Sequence, residues 1–192
     1  MSSQGFSQRK QRRVTLKPLP VFPHIILALN LLDTTPPRFH WLLYVADDEQ
    51  EDQDPDLQTG LKLHAVVRSN AAPGAQWSFD SSIFSLATSR SVAAAAIIGQ
   101  LKDKDRDELV RILSLIPMSV PAVDSSREAK FSCRVWIREA LRRMHAERFI
   151  ECPNVDAMEQ EMWELGTVAA EQIEKGTFDY ARLTTAVHSR TQ

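Results

Sequence analysis

Two short apolar runs, HWLLYV at residues 40–45 and LKLHAVV at 61–67, flank a loop of almost unbroken acidic character at 47–56. This pairing constrains the fold more than any other stretch. The runs are rich in aromatic and β-branched residues and are strand-length, and the loop is too charged to enter a core. The second run alternates Leu61, Leu63, Ala65 and Val67 against Lys62, His64 and Val66, as a strand with one buried face does. Ahead of them, HIILALNLLD (24–33) and the turn DTTPP (33–37) predict another strand and a tight connection, and QWSFDSS (76–82) predicts a further strand.

From Ser89 onward the pattern reads as helical. The small apolar run SRSVAAAAIIGQL (89–101) is assigned to this part. Leu109, Val110, Leu113 and Ile116 recur at helical spacing after a cluster of acids, and Pro117 ends that helix. FSCRVWIREALRRMHAERFI (131–150) carries the stripe Trp136, Ile137, Ala140, Leu141, Met144. A last helix opens at Asn154 or Asp156 and stops at Gly176. Strands followed by helices predict an α+β fold, an antiparallel sheet packed against helices, and argue against a βαβ nucleotide-binding sheet. No phosphate loop, glycine-rich dinucleotide turn or zinc-ligand spacing occurs, so neither cofactor nor metal is expected.

Residues 1–16 read as a disordered basic tail, and 17–192 as one domain. The hydrophobic share of 43% with 25% charged residues suits a globular protein. The net charge of −2 implies no global electrostatic partner, and a nucleic-acid role resting on RKQRR (9–13) ranks last. The longest apolar run is too short for a membrane span, and two cysteines make no disulfide framework. The expected location is cytoplasmic, without an anchor of its own.

The residues suited to chemistry are three. Ser132 reads as a helix N-cap, which puts Cys133 at the first helical position. There the dipole, with Arg127 and Arg134, favours thiolate. His40 and His64 both occupy even positions, so an even-to-even register places both rings on one sheet face. One ring could then take the thiol proton and the other orient it; two core histidines bonded to backbone are the plainer reading. Cys152 reads as structural, Trp77 and Trp163 as core anchors.

The segments HWLLYV, LKLHAV and FSCRVWIREAL resemble the permuted papain-like thiol enzymes of the NlpC/P60 superfamily, nearest its lecithin:retinol acyltransferase-like branch. The resemblance rests on His40-Trp41 with Tyr44-Val45, on Leu63-His64-Ala65, and on Cys133 with the aromatic Trp136. It implies a permuted papain-like domain in which Cys133 is the nucleophile, His40 the base and His64 the third member. Arg134, Tyr44 and Trp136 would then contact substrate. The implied activity is a cysteine-dependent hydrolase or acyltransferase working through a thioacyl intermediate on an amide, ester or thioester. Its substrate would be an acyl-bearing small molecule, lipid or peptide. The alternative is a non-catalytic protein-binding domain on a similar fold.

Overall fold

The computed structural model describes residues 14–48, 58–68 and 76–191. Seven strands form one mixed sheet: β1 (Leu16–Lys17), β2 (His24–Thr34), β3 (Pro37–Ala46), β4 (Gly60–Val67), β5 (Trp77–Phe84), β6 (Val92–Gln100) and β7 (Ala181–Thr185). Their order across the sheet is β1-β7-β6-β2-β3-β4-β5. The pairs from β6 through β5 are antiparallel, and β7 runs parallel to both β6 and β1. Three helices follow β6: α1 (Arg106–Ser114), α2 (Cys133–Ala146) and α3 (Val155–Glu174). The α+β class expected from the element order is therefore present. No helix among the described residues is long and apolar enough to cross a membrane.

The β2–β3–β4–β5 meander follows the alternation in the sequence. On β3, Phe39, Trp41, Leu43 and Val45 face the helices and join a core with Trp136, Ile137 and Leu141 of α2 and Met158 and Met162 of α3. The intervening Leu42, Tyr44 and Ala46 face the other way, into a second core with Leu16 of β1, Ala95 of β6 and Leu183 of β7. Each of these side chains is nearly or fully excluded from water. A fully buried aliphatic side chain contributes roughly 1.5–3 kcal/mol, so a one-residue slip of β3 would forfeit both cores at once.

Three expectations need correction. Residues 89–101 are not helical: β6 occupies most of them and lies buried on both faces. Its alanines mimic a helix in composition. Their small size instead lets α3 come close, where α3 itself presents Gly166, Ala169 and Ala170. A Cβ on Gly166 would lie 2.8 Å from Leu29 Cδ1 and 2.9 Å from Phe39 Cζ, which shows how near the helix sits. Residues 15 and 16, assigned to the tail, are packed into the fold. Leu16 is fully buried, and the Thr15 amide donates to the Ala87 carbonyl at 2.8 Å. The rest of the basic segment, and most of the acidic loop, lie outside the described residues. Finally, Trp163 is 38% exposed and is no core anchor, although its ring meets Phe39 edge-on.

The helices begin and end as their sequences dictate. Asp105, Ser132 and Asn154 cap α1, α2 and α3 by accepting from the amides of Glu108, Val135 and Ala157. Gly176 terminates α3 at φ +69°, a left-handed conformation that favours glycine.

Candidate functional site

The position of the site follows from where β3 and β4 cease to pair. Their ladder runs from Ala46↔Gly60 to Leu43↔Leu63 and stops. Beyond that point β3 continues against β2 alone, while β4 continues against β5 as far as Val67↔Trp77. A split opens between them, and the first residue of α2 enters it. Cys133 Sγ stands 4.0 Å from the Phe39 carbonyl oxygen, and the Trp41 amide also hydrogen-bonds the sulfur. The thiol thus meets backbone groups of β3 that a longer β4 ladder would otherwise engage. The amides of Cys133 itself and of Arg134 also face the sulfur, as expected at a helix N-terminus.

His40 and His64 reach toward each other across the same split. Parity puts His40 on the sheet face of Leu42 and Tyr44, and the observed register pairs even with even positions, Tyr44↔Lys62. The two rings lie 4.8 Å apart between centroids, with His40 Nε2 2.5 Å from His64 Nδ1. His64 Nε2 is in turn 3.1 Å from Asp80 Oδ2, and the Ser82 hydroxyl donates to the same oxygen at 2.8 Å. Asp80 is the residue directly opposite His64 on β5. Three adjacent strands therefore contribute one linear chain of polar groups.

The protonation pattern of that chain is fixed by its end. Burial alone would raise the Asp80 carboxyl. Hydrogen bonds from Ser82 and His64 and the nearby charges outweigh this and hold it below its usual value, so it is ionised and only accepts. His64 Nε2 must then donate, which leaves Nδ1 as an acceptor. His40 Nε2 must donate to it, which leaves a lone pair on His40 Nδ1. That nitrogen is the one nearer His40's own main chain; the ring lies on the sheet face opposite α2, and no hydrogen bond among the described residues joins it to Cys133. Burial, then His64 and then Lys62, push His40 down to about 4, so it is neutral at physiological pH. His64 is lowered by burial and Lys62, with Asp80 opposing.

The thiol behaves differently from the sequence expectation. Burial raises Cys133, and the amides of Trp41 and Arg134 with the Arg134 charge only partly offset it. At rest it is a neutral thiol. Arg134 is also committed elsewhere. It donates to both oxygens of Glu128 and to Glu159, within a network that joins Arg127, Arg138 and Arg142 to Asp124, Asp156 and Glu159. Arg138 and Asp124 are buried at its centre, so the arginines of α2 tie the helix to its surroundings.

Burial bears on two of the other residues singled out from the sequence. Tyr44 is fully enclosed in the second core, and Trp136 is fully enclosed against Phe79 in the first. Neither side chain reaches the surface in this structure. Cys152 is buried beside Ser189, and its thiol is pushed up to about 11 by burial first and by Glu161. Sequence reasoning missed Asp80. Its only signal was an acid within a strand-like run following His64, and its register depended on a connection whose geometry the sequence did not state. Among the described residues no group of three or more His, Cys, Asp or Glu is arranged to hold a metal.

No curated protein and no solved structure matches this chain. A family profile does match, over residues 28–151, a span that contains His40, His64, Asp80 and Cys133. The profile covers about two-thirds of the sequence, and on that ground the chain belongs to the family of unknown function DUF6540.

Proposed function

We propose that this protein is a cysteine-dependent acyl hydrolase or acyltransferase that works through a thioacyl intermediate. The observation that carries this reading is the His40–His64–Asp80 chain, whose hydrogen bonds leave an unprotonated Nδ1 on a ring of β3, the strand whose backbone meets the Cys133 sulfur. The mechanism brings a neutral imidazole onto a neutral thiol, a pairing suited to general-base catalysis, in which the proton moves as the bond forms. His40 Nδ1 takes the Cys133 proton while the sulfur attacks the acyl carbonyl. The imidazolium so formed is stabilised through His64 by the ionised Asp80.

The tetrahedral oxyanion would find donors among the amides that line the sulfur, those of Cys133, Arg134 and Trp41. Collapse expels the amine, alcohol or thiol, which receives the proton from His40, and a thioester remains on Cys133. Water or an acceptor nucleophile then loses its proton to His40, attacks the thioester and restores the thiol. The permuted papain-like arrangement suggested by the sequence motifs accords with a cysteine at a helix start and histidines on adjacent strands. The substrate would be an acyl-bearing small molecule, lipid or peptide.

The test is acyl trapping. The full chain is incubated with a panel of activated esters and thioesters, quenched with acid, and mapped by mass spectrometry. The expected result is an adduct on Cys133 and none on Cys152, with trapping reduced at least about a hundredfold in His40→Gln. Equal labelling of both thiols, or a His40→Gln variant as reactive as the parent, would leave the site as a binding surface without catalysis.

A further inference from the structure

We infer that the pocket at the C-terminal end of α3 is a binding site for a small apolar carboxylate, independent of any chemistry at Cys133. The pocket has a volume of about 440 Å³ and is lined by Leu31, Arg90, Ser91, Ile173, Gly176 and Phe178. That size lies within the range of roughly 300–1,000 Å³ typical of small-molecule sites.

Its walls come from elements already fixed by the fold. Leu31 sits near the end of β2, where its amide donates to the Ser91 carbonyl at 2.7 Å and so ties the strand to the approach to β6. Ile173 belongs to the last turn of α3. Phe178 follows the left-handed Gly176, and its amide, with that of Thr177, donates to the Gln172 carbonyl. The wall is thus held by backbone hydrogen bonds on both sides before any ligand enters.

The chemistry of the ligand follows from Arg90. The other arginines discussed above are paired with carboxylates. Arg90, an exposed residue on the pocket lining, makes no hydrogen bond or ion pair with any described residue. A guanidinium presents a planar fork that matches a carboxylate bidentately. The adjacent Ser91 hydroxyl, 3.3 Å from the Ser89 hydroxyl, can accept from that group and donate to the ligand. The carbonyls at the end of α3 would repel an anion if open. Those of Glu171, Gln172 and Ile173 are instead capped by the amides of Lys175, Thr177 and Gly176. Leu31, Ile173 and Phe178 offer only hydrocarbon to the remainder of the ligand. One acid group on a compact apolar body is therefore the complement.

The experiment titrates the full chain with 2-naphthoate and with its neutral analogue 2-naphthylmethanol, followed by calorimetry and by amide chemical shifts. Naphthoate should bind more tightly than the alcohol, with shifts centred on Leu31, Ser91 and Ile173. Arg90→Gln should weaken naphthoate about tenfold or more and leave the alcohol unchanged, and Ile173→Trp, which fills the pocket, should abolish both. A naphthoate affinity indifferent to Arg90→Gln, or shifts centred elsewhere, overturns the assignment. Absence of binding at millimolar ligand in a chain that retains its amide spectrum does so too.

Discussion

Protonation of His40 should destabilise this protein in a pH range where its carboxylates remain ionised. The ring is held at about 4 in the folded chain against 6.5 in an unperturbed histidine. Between those two values the unfolded chain binds the proton more readily, so stability must rise with pH across the window and be complete above it. A shift of this size corresponds, on lowering the pH from 7 to 4.5, to a loss on the order of 2.5 kcal/mol. Solvent at the partly exposed edge of the ring brings the expected loss to about 1–2 kcal/mol. The assay is urea denaturation at a series of pH values, followed by tryptophan fluorescence, for which Trp41 and Trp136 are fully buried reporters. His40→Gln should flatten the dependence between pH 6.5 and 4.5; the part that survives belongs to His64, which burial also lowers. A His40→Gln variant whose midpoint falls with acid as steeply as the parent's would refute the assignment of this proton to the ring.

Other perturbations are expected to act as follows. Arg138→Met should cost about 3–5 kcal/mol in urea denaturation, because it withdraws a buried cation from Asp124, itself 1% exposed. Gly166→Ala should cost roughly 1–3 kcal/mol, since the added methyl meets Leu29 and Phe39 on the sheet. Gly176→Ala should cost about 1 kcal/mol through its left-handed backbone, with a lower Tm and an unchanged far-ultraviolet spectrum. In the absence of substrate, Cys133 should react with iodoacetamide more slowly than free cysteine at pH 8, because burial keeps it protonated. A faster reaction would show that the thiol is ionised.

The meander was legible because alternation reports burial directly: odd residues of β3 face the helices and even ones the second core, as the pattern of LKLHAVV implied for its neighbour. The caps of α2 and α3 were legible for a similar local reason, since Ser132 and Asn154 satisfy amides within three residues. What escaped depends on partners distant in the chain. β7 gains its strand conformation by lying between β6 and β1, and β1 by pairing with β7 through Leu16↔Ala181 and Lys17↔Arg182. The alanines of β6 carry little preference of their own until α3 and the neighbouring strands enclose them. At the site, the even parity of His40 and His64 anticipated their meeting, whereas the burial that raises Cys133 and encloses Tyr44 belongs to the assembled cores.

The parting of β3 from β4 beyond Leu43↔Leu63 carries a cost that a more regular sheet would avoid. Two more rungs on that ladder would give a tighter seam, at the expense of the berth in which Cys133 rests. Selection for rigidity alone should therefore zip the seam shut and evict the sulfur. A protein that keeps the gap open trades sheet continuity for the contact of that sulfur with the β3 backbone.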